Sequence, residues 1–144
     1  METLSKKVLK IDLFFYVLFV IHYRQQIMKI VTKYIEAVRD NIEFWIGENA
    51  SDNFDIIDSA KDTDLWFHVS QHPSSHVIAV RPDGKKIDKT HIHKIVVQGA
   101  VLCKQNSKFA SMRNLSIVYA PISNVSKTEK MGCVVLESSK SISI

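Results

Sequence analysis

One stretch of the chain carries a helical period, and short β-branched and aromatic runs lie on either side of it. From Thr90 to Lys104 the residues Ile92, Ile95, Val96, Gly99, Ala100 and Cys103 recur three and four apart, which puts them on one stripe of a helix. Asp88 or Thr90 stands where an N-cap is needed. Glycine inside such a stripe costs about 1 kcal/mol in helix propensity, so Gly99 marks a close approach to whatever the helix packs on.

The flanking runs read as strands. Ile42, Phe44 and Ile46 share one face before Gly47, and Ile30 to Ile35 fits either a strand or a short amphipathic turn. In Leu65-Trp66-Phe67-His68-Val69, alternation turns Leu65, Phe67 and Val69 inward and Trp66 and His68 to the other side. Residues 70–75 connect it to a second strand, His76 to Arg81, which the turn Pro82-Asp83-Gly84 closes. Leu115 to Ala120, Gly132 to Glu137 and Ser141 to Ile144 complete the set, while the acidic stretch Glu48 to Asp64 reads as loop. These expectations amount to an α+β fold: an antiparallel or mixed sheet of about five to seven short strands with one main helix, residues 90–104, packed on it.

With 144 residues, of which 46% are hydrophobic and 24% charged, the chain suits one globular core and excludes a disordered or low-complexity scaffold. Its two cysteines, Cys103 and Cys133, form no CxxC pair, which excludes a Cys-rich zinc module and suits a reducing, cytoplasmic compartment. Residues 1–27 stand apart from the domain pattern of 28–144. Leu13 to Ile21 is a run of nine apolar residues behind Lys6, Lys7 and Lys10, but Asp12 interrupts the flank and no small-residue cleavage site follows. Nine residues fall short of the roughly 20 a bilayer span needs, so the run does not cross a bilayer and a membrane is not expected as a partner. The run fits an element packed on the domain, a membrane-surface anchor, or an extension of a domain that starts at Met28.

Charge divides the domain. Residues 28–75 have a balance of −5 and residues 76–144 one of +7. The basic groups of the second half gather in connections: Lys85, Lys86 and Lys89 before the helix, Lys108 and Arg113 after it, Lys127 and Lys130 later. An asymmetry of this kind points to a polyanion, whose phosphates such groups would contact without reading sequence.

Catalysis and metal binding find no support. His68, His72 and His76 are four apart, yet Pro73 and the strand patterns deny the helix that would align them, and His91 and His93 point to different sides. Ser75 and His76 are neighbours on a strand and project to opposite faces; no Gly-x-Ser-x-Gly elbow is present, and four glycines make no phosphate loop. No cofactor is expected. Trp66, His68 and His76 fall on one face of paired strands, where they would pack under a covering element or form a stacking platform with His76 donating to phosphate.

Asp64-Leu65-Trp66-Phe67-His68-Val69, then Pro73-Ser74-Ser75-His76-Val77, resembles the NFACT-R domain, whose pattern is an acidic residue, x-Trp-Phe-His, a short spacer, a Gly/Ser-Ser-x-His or Gly-Ser-His motif and a strand. Leu115-Ser116-Ile117-Val118-Tyr119-Ala120-Pro121, followed by Ser123-Asn124-Val125, Lys127 and Gly132, is similar to the family's second signature. Ser74 replaces the glycine usual in the multidomain members, as in the stand-alone eukaryotic coiled-coil-containing type, although no coiled coil follows here. The resemblance implies an RNA-binding module in a translation, ribosome quality-control or tRNA-modification context, with Trp66, His68, Ser75, His76 and Lys127 at the signature positions. The expected function is therefore a non-catalytic domain for structured RNA, tRNA or rRNA. Lys85, Lys86, Lys108, Arg113, Lys127 and Lys130 would supply backbone contacts around the patch of Trp66, His68, Ser75 and His76. DNA is a second polyanion to weigh. The alternative is a protein-interaction module that docks a partner or membrane surface through the acidic half or the apolar run; oligomeric state stays open.

Overall fold

The computed structural model describes residues 13–22 and 28–144. Residues 13–22 form a helix, α1, whose Leu13, Phe14, Phe15, Tyr16, Leu18 and Phe19 are all exposed. Among the described residues no helix is long and apolar enough to cross a membrane. The first strand is β1, Lys29–Ile35, which settles the first ambiguous run as a strand.

β1 pairs with β2, Asp40–Ile46, and β2 with β4, Val77–Ala79. β3, Leu65–Val69, then links β4 to β5, Ser116–Pro121, and β8, Lys140–Ser143, closes the far edge. The result is a six-stranded sheet in the order β1-β2-β4-β3-β5-β8 with every pair antiparallel. Val125–Lys127 and Val134–Leu136 form a separate hairpin, β6–β7. The run expected as a strand at 132–137 therefore belongs to a second small sheet, paired with residues the sequence reading left in a connection.

The main helix, α3, runs Lys89–Gln105. Asp88 is its cap, its carboxylate accepting the His91 N–H at 2.8 Å. Its stripe of Ile95, Val96, Ala100 and Cys103 meets Phe44, Phe67, Val69, Val77 and Ile117 from the sheet, all buried. Each aromatic or aliphatic side chain fully buried there contributes about 1.5–3 kcal/mol.

The opposite face of the sheet is also covered. Residues 48–64, read as loop, contain a ten-residue helix, α2, Ala50–Ser59. Asn49 caps it by accepting the Asp52 N–H at 2.9 Å, and Ile56 and Ile57 pack with Trp66, Ile78 and Ile122 in a second core. Its Asp, Asn and Ser content is poor in helix propensity, and burial of the Ile56/Ile57 side overrides that. Three layers result: α3, the sheet, then α2 with the β6–β7 hairpin.

β3 lies between the two cores, and Gly99 shows how tightly it is held. A Cβ added at Gly99 would overlap the ring of Phe67, which is fully buried and stacks on Tyr119 with centroids 5.9 Å apart. Overpacking of this kind costs about 1–3 kcal/mol, more than the roughly 1 kcal/mol alanine returns in helix propensity. Urea denaturation of Gly99→Ala is expected to show a net loss of stability; a gain of about 1 kcal/mol would mean that propensity alone governs the position.

Candidate nucleic-acid interface

The site starts from the pairing of β3 with β4. Trp66 stands opposite Ile78 and Phe67 opposite Val77, so His76, one residue before β4, comes beside Trp66 and His68 on the face away from α3. The loop between them is tied down. Ser74 Oγ accepts the Val69 N–H at 3.1 Å, Ser75 Oγ donates to the Asn106 carbonyl at 3.4 Å, and Gln71 takes a left-handed conformation at φ 62°.

Three rings then meet. Trp66 and His68 stack in parallel, 5.6 Å between centroids and 2° between planes, and His76 stands edge-on to both at 5.2 and 5.0 Å. The Trp66 Nε1–H donates to His76 Nδ1 at 3.1 Å. An indole N–H can only donate, so this nitrogen of His76 carries no proton and the neutral ring holds its proton on Nε2. The backbone of His76 is fixed as well: its N–H donates to Asn53 Oδ1 at 3.1 Å and its carbonyl accepts the Gly47 N–H at 3.0 Å. Burial pushes the His76 pKa down from 6.5 to about 3, repulsion from His68 adds to this, and a hydrogen bond to the Gly132 backbone opposes it. Burial lowers His68 too, against a hydrogen bond to the Val69 backbone.

Beside these rings opens a cleft of about 800 Å³. His68, stacked on Trp66, and Val118 form its floor; the start of α2, the turn Lys130–Val134, the loop 71–76 and residues 106–108 beyond α3 form its walls. Gly132, at φ 81°, lets the hairpin approach α2: a Cβ there would come within 2.9 Å of the Ala50 Cβ.

The residues picked out from sequence divide into three groups. His68, Ser75, Lys108 and Lys130 line the cleft. Trp66 and His76 belong to it but lie beneath its surface, each only 2% exposed. The expected base stacking on Trp66 and phosphate donation by His76 do not fit that burial, because His68 covers one face of the indole and the Ile56/Ile57 core packs around the rest. They support His68 instead.

Lys85, Lys86, Arg113 and Lys127 stand elsewhere. Lys85 and Lys86 lie at the start of α3 near Glu36 and Arg39, with Lys85 paired to Asp40. Lys108 follows the other end of this 17-residue helix, about 25 Å away. Lys127 forms an ion pair with Asp58 and lies over the Phe54 ring, fastening the hairpin to α2. Arg113 is exposed outside the cleft lining.

Sequence reading missed several residues here. His72, Asn106 and Ser107 line the cleft, and His72 packs on Phe109 with ring centroids 4.7 Å apart. Lys29, from the acidic half, donates to Asn106 Oδ1 at 2.9 Å. Asn106 stands at the helix C-cap, which its place after the last apolar position signals; the others carry no such signal.

The histidine pair has a consequence for stability. Between pH 6.5 and about 3 the unfolded chain binds a proton at residue 76 that the folded chain refuses, so the contribution of His76 to stability falls as pH is lowered through that window and changes no further below it. The melting temperature is expected to drop between pH 7.5 and 4.5, and the drop to shrink in His76→Gln. An equal drop in both proteins would show that other groups drive it.

At 35% identity over 88 residues, the chain is similar to coiled-coil domain-containing protein 25 of Danio rerio, covering 60% of this chain and 42% of that protein. The Mus musculus protein of the same name is 34% identical over the same shares. The chain thus spans less than half the length of these curated relatives. Among solved structures, the C-terminal part of the fibronectin/fibrinogen-binding protein from Streptococcus suis shares the fold. Its TM-score is 0.62 at 22% identity, over 72% of this chain and 41% of that one. Residues 31–139 match the NFACT protein RNA binding domain, and the chain belongs to that family.

Proposed function

We propose that this domain is a non-catalytic module that binds structured RNA, tRNA or rRNA, in a translation, ribosome quality-control or tRNA-modification setting. The observation that carries the reading is the placement of Lys108 and Lys130 on the rim of the cleft whose floor holds His68. Both are exposed, and among the described residues neither has a carboxylate partner, unlike Lys85 and Lys127. Lysines so placed take phosphates and release counterions, which makes affinity fall with salt. Membership in the RNA-binding family supports the choice of RNA.

A salt-titrated binding assay with a tRNA tests this. Affinity is expected to fall linearly on a log–log plot, with a slope near −0.7 to −0.9 for each phosphate contacted. The double variant Lys108→Glu/Lys130→Glu is expected to bind at least tenfold more weakly with a flatter slope, whereas Lys85→Glu/Lys86→Glu changes binding less. Affinity indifferent both to salt and to reversal at Lys108 and Lys130 would overturn the reading.

The exposed apolar side of α1 favours a second reading, docking of a protein partner. Capture of a partner that survives high salt and is lost on removing residues 1–27 would favour it over RNA.

A further inference from the structure

The rim lysines explain attraction to phosphate, but not why a cleft lies between them. A base-paired helix is convex and keeps its bases stacked inside, so it would touch the rim and leave the cleft unused. A volume of about 800 Å³ belongs to the range of small-molecule sites, about 300–1,000 Å³. RNA bases become available to such a site only where they are unpaired.

The distribution of groups matches one nucleotide. Cations stand at the mouth, Lys108 on one wall and Lys130 on another, where a phosphate entering and a phosphate leaving would pass. The floor carries no cation. There His68 lies half-buried on Trp66, beside the apolar Val118 and Leu136. One ring nitrogen of His68 hydrogen-bonds the Val69 backbone, and in the neutral ring the other is an acceptor, which suits the amino group of a base edge or a ribose hydroxyl. Next to Lys130 stands Met131, 57% exposed although apolar. A thioether at the mouth of a cleft is suited to close over an aromatic base. Glu48, on the α2 side, is the acidic group of the lining; it repels phosphate and so directs the backbone toward the lysine side.

We infer that the cleft receives a single unpaired nucleotide of a structured RNA, its base between His68 and Met131 and its flanking phosphates at Lys108 and Lys130. This rests on the RNA-binding reading and narrows it: the domain selects RNA by an extruded or terminal base, in addition to its charge.

Fluorescence anisotropy of the full chain with three labelled hairpins of one sequence separates the two claims. One hairpin is fully paired, one carries a single bulged adenosine, and one carries an abasic residue at the bulge. The bulged hairpin is expected to bind at least tenfold tighter than the other two, all three with similar salt slopes. His68→Gln is expected to remove that advantage while the paired hairpin binds as before. Met131→Ser, at an exposed position that leaves the cores untouched, is expected to reduce it in the same direction with no change in melting temperature. Equal binding of the three hairpins would overturn this inference and leave the RNA reading standing. Absence of salt-sensitive binding to any of them would overturn both. If adenosine monophosphate alone bound as tightly as the bulged hairpin, the occupant would be a free nucleotide and the assignment to an RNA strand would fail.

Discussion

The Trp66–His76 hydrogen bond is the contact on which the two halves of the molecule depend. Trp66 is buried beneath the second core, so its indole N–H must find its partner inside the protein. A buried indole N–H left without an acceptor costs about 1–3 kcal/mol. His76 supplies that acceptor only while neutral, and the burial that creates the need also keeps it neutral. Asn53 and Gly47 then hold the His76 backbone, which joins α2 to the start of β4. The second core, the position of the hairpin and the floor of the cleft follow from this join.

Much of the architecture was legible in the chain. The stripe from Ile92 to Cys103 identified α3 and its buried face, and Gly99 signalled a close approach that proved to be the ring of Phe67. The alternation in residues 65–69 assigned both faces of β3. What alternation does not reveal is whether the second face is open or covered, because a solvated tryptophan and one under a helix read alike. The covering element was itself hidden: α2 is rich in Asp, Asn and Ser, residues that favour caps and turns, and its helical signal reduces to Asn49 and the Ile56/Ile57 pair. Trp66 therefore reads from sequence either as a stacking platform or as a residue under a covering element, and its burial under α2 fits the second.

Charge was legible in amount but not in place. The +7 block is continuous in sequence, yet α3 runs through it and sets the lysines before it and those after it at opposite ends of a helix about 25 Å long. Asp64 shows the same limit from the acidic side. It heads the first signature, and its fully buried carboxylate accepts the Lys61 N–H at 2.8 Å and the Arg81 N–H at 2.9 Å, so it holds the entry to β3 against the end of β4. Signature residues in this chain divide between those that build the cleft and those that line it, and only the structure separates them.

We propose that RNA enters the cleft over His68. NMR of the histidine side chains during titration with a tRNA tests it most directly. On binding, the His68 ring resonances are expected to shift, His76 to stay neutral with its proton on Nε2, and the amides of residues 106–108 and 130–133 to shift with His68. Shifts confined to the start of α3 around Lys85 and Lys86, with His68 unchanged, would contradict it.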